Sequence, residues 1–471
     1  MFTQLFRTKH VSEGGIGGSG LKRCLTAFDL TLLGIGAIIG AGIFVITGKA
    51  AANQAGPAVI LSFVVAGSAC AFAALAYAEL AASVGGCGSA YGYSYAAFGE
   101  LFAWVIGWAL LLEYGLAVSA VANGWSGYFN NALTAMEMGL PDHLLNGPMA
   151  GGIINLPAFC IVGVLMVLLI AGVKQSARFN AAMVFVKLLT IAVFIGIAVF
   201  NVNPDHWSPF MPYGWIGEDA GGHPTGVLAG AAKVFFAYIG FDAVSTAAEE
   251  AHDPQRDLPT GIIASLAICT VIYIVVAGLL TAVVPYTDLN VAHPVAHALE
   301  LIGFQGASAL VAAGAIAGLT TVMLVLYYGL TRIIFAMGRD GLIPATVAAV
   351  NAKTQTPVVA IVVCGVVMSL LAGFVSLDEL AELVNMGTLS AFVMVCLGVL
   401  LLRRLRPELH RPFKTPFGAL FPVLGMLSCG ALMLALPAKT FWLFLAWLGL
   451  GLMIYFGYSF RHSKLAAEAS A

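Results

Sequence analysis

Charge is what this 471-residue chain has least of. Only 9% of its residues are Asp, Glu, Lys or Arg, against about 25% in a soluble domain. That scarcity excludes a water-soluble globular protein, and with 60% hydrophobic residues it predicts an all-α polytopic membrane protein. A net charge of −2 supplies no basic surface, so no nucleic-acid partner is expected. The eight cysteines contain no CxxC pair and lie mostly inside apolar runs. They read as small core hydrophobes, not as a disulfide set or a zinc site. Met1–Gly20 lacks the apolar segment of a cleavable signal peptide. Histidine, the usual proton carrier, is missing from every apolar run: all nine fall in expected loops or tails. A nucleotide-binding glycine loop is missing too, because no strand precedes the glycines at Gly34–Gly42 and their spacing is wrong. No cofactor and no enzyme activity are expected.

What is present is a series of apolar runs long enough to cross a bilayer. Twelve are expected, at 28–51, 57–83, 101–133, 156–172, 179–200, 226–249, 260–284, 307–337, 357–374, 380–402, 420–436 and 441–460. Of the 21 Lys and Arg residues, 17 then fall on the side of the two termini. Lys49 and Lys439 sit at the opposite ends, and Lys187 and Lys233 lie inside runs. That asymmetry predicts cytoplasmic termini in an inner (plasma) membrane. Five runs end near Phe200 and five more near Leu402. Five is odd, so the second set enters from the opposite face and is inverted. The expected division is a tail at 1–26, repeats at 27–202 and 203–404, two further helices at 405–460, and a tail at 461–471.

Four glycines interrupt the first run, in Gly34-Ile35-Gly36-Ala37-Ile38-Ile39-Gly40-Ala41-Gly42-Ile43-Phe44. Each costs a helix about 1 kcal/mol relative to alanine, and freed backbone is tolerated in a membrane only where it faces protein or a water-filled cavity. Gly40-Ala41-Gly42 is therefore either an unwound site whose N–H groups face a ligand or a place where two helices pack closely. A second interruption, Phe236-Ala237-Tyr238-Ile239-Gly240-Phe241-Asp242, opens the second set of five. Paired interruptions at matching places in two halves point to a transporter site near the midplane and favour the first alternative.

Lys187 lies about 12 Å into the fifth run at 1.5 Å per residue. A lysine at mid-helix costs roughly 2.5–3.5 kcal/mol on insertion scales. Desolvation favours its neutral amine, which would let it exchange a proton near neutral pH; the alternatives are snorkelling and a purely structural tie. Lys233 lies nearer its run's end and is expected to snorkel. Glu113 and Asp242 are intramembrane acids that could pair with a cation or bond to freed backbone, with a structural role preferred for Asp242. Glu79 is expected to reach water or pack on the loops at the terminal side. Thr320 and Thr321 are a small polar pair on the eighth run, relevant if that run faces the fifth. His293-x-x-x-His297 has metal-like spacing but no evident further ligand, so no metal site is expected.

These motifs together resemble the amino acid–polyamine–organocation transporter superfamily, and within it the bacterial relatives of the cationic amino acid transporters. The likeness runs from Phe28-Asp29-Leu30 to the twelfth run. It rests on Gly34–Phe44, Gly88-Ser89-Ala90-Tyr91, Glu113-Tyr114, Phe235–Asp242, Asp253-Pro254-Gln255-Arg256-Asp257-Leu258-Pro259 and Arg339-Asp340-Gly341-Leu342-Ile343-Pro344. Two departures, Gly85-Gly86-Cys87 and Gly338, lie on the terminal side. The resemblance implies a five-plus-five inverted-repeat fold with two extra helices. It implies a substrate α-carboxylate on Ile39, Gly40, Ala41 and Gly42, with Ile38, Glu113 and Leu326 in the same substrate site, an α-amino group at carbonyls near Phe236 and Ile239, and Phe236 over the ligand. It also implies that Lys187 stands where sodium-coupled relatives hold their ion, touching the first run and Thr320 or Thr321, so no sodium is expected. The resulting expectation is proton-coupled uptake of an amino acid through a membrane-embedded, lipid-surrounded carrier. Leu326, Tyr327 and Tyr328 add bulk and little charge, which suggests a small neutral substrate such as alanine. A cationic amino acid, exchange in place of symport, and a non-transporting sensor are the alternatives.

Overall fold

The computed structural model describes residues 7–8, 25–84, 90–172, 177–248, 250–351, 354 and 356–465. The Gly85-Gly86-Cys87 departure, Gly88-Ser89 and nearly all of the 1–26 tail lie outside the described residues. Fourteen α-helices of eight residues or more are α1 (Ala27–Ile38), α2 (Val59–Val84), α3 (Ala90–Ala97), α4 (Glu100–Ala135), α5 (Leu156–Ile170), α6 (Ala177–Ala198) and α7 (Val227–Val234), followed by α8 (Pro254–Val283), α9 (Pro294–Leu301), α10 (Gln305–Arg339), α11 (Val358–Phe374), α12 (Leu377–Leu405), α13 (Leu420–Leu434) and α14 (Ala438–Ile454). Among the described residues, eight stretches are long and apolar enough to cross a membrane. The first, Ala27–Val84, contains both of the first two expected runs; Gly56, at φ +61°, separates them. α5, α11 and α13 are apolar but shorter. One feature outside an all-α reading is a two-residue antiparallel ladder, Gly217–Glu218 with Pro224–Thr225.

Local chemistry sets the helix starts. α1 opens on a capping box in which the Thr26 hydroxyl accepts from the Asp29 N–H and the Asp29 carboxylate accepts from the Thr26 N–H. Asn155 and Ser376 cap α5 and α12 in the same way, each accepting from the N–H three residues on. The helices bury apolar residues inward and also show them outward: Val363 and Val367 on α11, Leu427 and Leu434 on α13, and Trp442 and Met453 on α14 are all exposed. An apolar exterior with satisfied helical backbone is what a lipid surrounding requires.

Two ends can be told apart. At the terminal end, Leu25 bridges to Ala251, and the Lys464 N–H donates to the Asp340 carbonyl. Glu79 is nearly inaccessible there, at 1% exposure. Arg403 donates to both of its oxygens, and so does the Thr415 N–H to one of them, at 2.8 Å. Of the two expectations for Glu79, packing on the terminal-side loop that carries Thr415 is the one observed, and reaching water is not. A guanidinium fork meets the planar carboxylate with two parallel bonds, which compensates its burial near the end of α2. At the far end, Lys49 pairs with Asp378 at 3.0 Å, Lys439 with Glu379 at 2.7 Å, and Asn53 donates to Asn290.

Candidate functional site: two interrupted helices

Between Ile38 and Ala41 the first helix stops and restarts. Ile39 is extended (φ −72°, ψ 100°), and π-helical turns follow over Gly42–Ile46. In a continuous helix the Gly36 carbonyl would accept from the Gly40 N–H and the Ile38 carbonyl from the Gly42 N–H. Here both carbonyls take side-chain donors from other helices. Lys187 on α6 donates to Gly36 at 2.6 Å, and Tyr273 on α8 donates to Ile38 at 2.8 Å. The restart leaves the first N–H groups of the new helix, from Gly40 onward, without an intrahelical carbonyl. A helix N-terminus of this kind favours a carboxylate.

The second interruption follows α7. A 3-10 turn spans Phe235–Tyr238, Ile239 is extended (φ −60°, ψ 135°), and a second 3-10 segment runs over Asp242–Ala247. Gly240 sits at φ +112°, a conformation only glycine adopts without strain. Asn385 on α12 holds the Ala232 carbonyl at 2.8 Å just before the break. Tyr273 also lies 2.9 Å from the Ala237 carbonyl, so one buried hydroxyl serves the ends of both interrupted helices.

The two breaks touch, and they run in opposite directions. A Cβ on Gly42 would fall 2.2 Å from the Ala237 Cα, and one on Gly240 would fall 3.0 Å from the Ala37 carbonyl. Residue 37 thus meets 240 while residue 42 meets 237. Side chains beside the breaks are buried and apolar: Ile39, Ala41, Phe236 and Ile239, with Val322 of α10 against Gly40. Leu326, one turn along α10, is buried as well. Tyr327 and Tyr328 do not supply bulk here. Tyr327 donates to the Ile361 carbonyl on α11, and Tyr328 is 38% exposed beneath Arg332.

Two acids lie near the second break. Tyr114 donates to Asp242 at 3.1 Å, and Glu113 is 1% exposed. One oxygen of each carboxyl lacks a hydrogen-bond partner among the described residues. Lys187 is fully buried, and no ion pair among the described residues includes it. The expected contact between Lys187 and Thr320 or Thr321 is not present. Thr321 donates back to the Gly318 carbonyl, Thr320 donates to Ile316 and accepts from Trp125. Short hydroxyls in apolar helices satisfy themselves on their own backbone. The lysine stem instead packs where a Cβ on Gly318 would be, 3.0 Å from its Cγ. Lys233 likewise does not simply snorkel: it pairs with Asp378 at 3.0 Å, sharing that carboxylate with Lys49. A cleft of about 450 Å³ at the far end is lined by Gln54, Tyr213, Lys233, Glu382 and their neighbours. It opens beside α7, and the residues at the two breaks do not line it.

Tyr273, Asn385, Val322 and Asp378 were not singled out by the sequence. Each sits in a different helix from the group it serves, and no spacing rule links them. Glu300 was also missed. The histidine pair was read without a third ligand, yet Glu300 lies three residues past His297 on α9 and beside both histidines.

Crossed, interrupted helices inside an apolar bundle define the chain as a polytopic membrane protein. The chain belongs to the amino acid permease family, whose model matches residues 25–457. It is 49% identical to the branched-chain amino acid permease BcaP of Bacillus subtilis over 98% of this chain and 99% of that protein. It is 47% identical to the methylthioribose transporter of the same organism over 94% and 95% of the two chains. Mouse cationic amino acid transporter 4 is 37% identical over 85% of this chain and 62% of its own length.

Proposed function

We propose that the protein is a secondary transporter that takes up a neutral aliphatic L-amino acid together with a proton, through the inner membrane with both termini cytoplasmic. The substrate α-carboxylate sits on the N–H groups of Gly40–Gly42, and its α-amino group on carbonyls of the second break near Phe236 and Ile239. The carrying observation is the direct apposition of two oppositely running breaks, 37 to 240 and 42 to 237, whose polar backbone has no lipid-compatible alternative. The apolar neighbours Ile39, Phe236, Ile239, Val322 and Leu326 suit an aliphatic side chain. Alanine is the small end of that range, and the name of the 49%-identical relative points to larger, branched members. The five-plus-five inverted repeat at 27–202 and 203–404 accounts for the opposite running of the breaks.

Lys187 is the proton carrier in this reading. Its ammonium ties α6 to the freed Gly36 carbonyl at the end of α1. Loss of the proton removes the positive charge that favours a helix C-terminus and weakens the tie as the carrier opens toward the termini. Thr320 and Thr321 stay outside that step. Asp242, bonded to Tyr114, braces the second break, and Glu113 stands behind it.

Uptake into substrate-free proteoliposomes under an imposed pH gradient tests the reading. Leucine, valine or alanine is expected to accumulate, and lysine and arginine are not. Lys187→Ala is expected to lose the pH dependence. Undiminished proton-driven uptake by that variant would remove Lys187 from the mechanism. Flux only against internal amino acid would make the protein an exchanger. A cationic substrate is the second reading, kept open by the unpartnered oxygens of Glu113 and Asp242; accumulation of lysine alone would establish it.

A further inference from the structure

At the far end, α9 presents three metal-ligand side chains on one face. His293 is its N-cap, His297 follows one turn later and Glu300 three residues after that. One ligand atom from each lies within 4.8 Å of the other two. His297 Nδ1 is 3.6 Å from a Glu300 oxygen, and the two imidazole rings stand edge to face with centroids 6.0 Å apart. His293 keeps a buried Nδ1 with no hydrogen-bond partner among the described residues. The second oxygen of Glu300 is already fixed, accepting from Asn131 at 3.1 Å and from Ser308 at 2.8 Å.

We propose that His293, His297 and Glu300 bind a divalent ion of the zinc type, and that the bound ion holds the far half of the first interrupted helix against α4. Two imidazoles and one carboxylate form a mixed nitrogen and oxygen set that suits zinc, with water as the fourth ligand. Calcium and magnesium take all-oxygen shells, and two of the three donors here are imidazole nitrogens. Donors about 2.0–2.2 Å from a common centre stand closer together than 4.8 Å, so binding draws the ligand atoms together by roughly an ångström; His297 is only partly buried and moves toward the carboxylate that Asn131 and Ser308 hold. Asn131 and Ser308 orient the carboxylate from behind, as outer partners of metal ligands do.

The consequence for transport follows from the neighbours, and it rests on the proposed function. Tyr128 of α4 packs edge-on against His293 at 6.1 Å and donates to the Phe44 carbonyl at 2.7 Å. Phe44 lies in the π-helical segment that begins at Gly42. Pro294, adjoining His293, occupies the space a side chain on Gly48 would need, 2.4 Å from its Cβ. Asn131, holding Glu300, is three residues beyond Tyr128 on the same helix. An occupied site therefore joins α9, α4 and the restarted helix into one unit, and rocking of that helix is slowed.

The test is titration of the full-length, chelator-stripped protein with Zn²⁺ by calorimetry, and with Co²⁺ by visible absorption. One ion per chain is expected, with the absorption of a four-coordinate Co²⁺ site. His297→Gln and Glu300→Gln are expected to weaken binding well beyond tenfold, and Asn131→Ala by about tenfold, the range for outer-shell losses. Zn²⁺ on the far side of the membrane is expected to slow uptake by the parent protein and not by His297→Gln. Binding that is absent, or unchanged in both ligand variants, overturns the site whatever the transport result. Stoichiometric binding with uptake unaffected overturns the clamp. Because binding is read without substrate, the test of the site does not depend on the identity of the transported solute; the test of the clamp does.

Discussion

The Gly36 carbonyl has Lys187 as its partner only because the chain turns away four residues later. The same holds for Ile38 and Tyr273. At the scale of single residues, the site is a set of helix-end carbonyls released by the breaks and taken up by donors from α6 and α8. Tyr273 serves two of them, at 2.8 and 2.9 Å. Tyr273→Phe keeps the ring and removes the single hydroxyl that the two carbonyls share. A buried carbonyl left unpaired costs about 1–3 kcal/mol, so this variant is expected to melt several degrees lower in detergent and to transport slowly. An unchanged melting temperature would show that the tyrosine fills space and does no more. Lys187 was legible in the sequence by its depth, since a lysine that far from either end has to be accommodated by something. Its acceptor was not legible. The fifth run does not say which neighbour it faces, and the threonines, though suitable in chemistry, turn back on their own helix.

At the scale of elements, the glycines decide how close the two interrupted helices come. Gly42→Ala places a methyl group 2.2 Å from the Ala237 Cα, and that obstacle is backbone, not a side chain that can swing away. The variant is expected to fold with the breaks forced apart and to lose uptake, with substrate-induced thermal stabilisation reduced or absent. Gly240→Ala meets two obstacles, a φ of +112° and the Ala37 carbonyl at 3.0 Å, and is expected to be the more damaging to stability. Wild-type uptake by Gly42→Ala would mean that the contact between breaks is not part of the working cycle. Both interruptions were visible in the sequence, because glycine and polar residues in an otherwise apolar run carry a known cost. Their opposite sense follows from the odd number of runs in each set; that the breaks abut depends on how the helices cross, and no local pattern encodes that. Glu300 is the reverse case: once α9 is helical, a residue three past His297 must share its face, so this ligand was readable.

At the scale of the whole molecule, ion pairs close the two ends of an apolar bundle. The terminal end turns on Glu79, where α2, α12 and the segment carrying Thr415 converge on one inaccessible carboxylate. Breaking a buried pair outright costs about 3 kcal/mol or more; removing Arg403 leaves this carboxylate only the Thr415 N–H and the more distant Arg411, at 3.8 Å. Arg403→Ala is therefore expected to lower stability strongly, and Arg403→Ala combined with Glu79→Gln to recover part of the loss. Equal loss in the single and double variants would show that the charge pair is incidental there. The far end is held by Asp378 between Lys49 and Lys233. The membrane class of the protein followed from its lack of charge and its 60% hydrophobic residues. Which charges meet did not, because partners such as Glu79 and Arg403 are 324 residues apart in the chain.

The central claim is that a zwitterion is held by the peptide groups that the two breaks release from helical hydrogen bonding. Hydrogen–deuterium exchange of the reconstituted protein, with and without a transported amino acid, tests it most directly. The account predicts slowed exchange of the amides of Gly40, Ala41 and Gly42, with a matching effect around Phe236–Phe241, and no such change on adding the methyl ester of the same amino acid. Substrate that protects amides elsewhere, and leaves Gly40–Gly42 exchanging at the same rate, would contradict it.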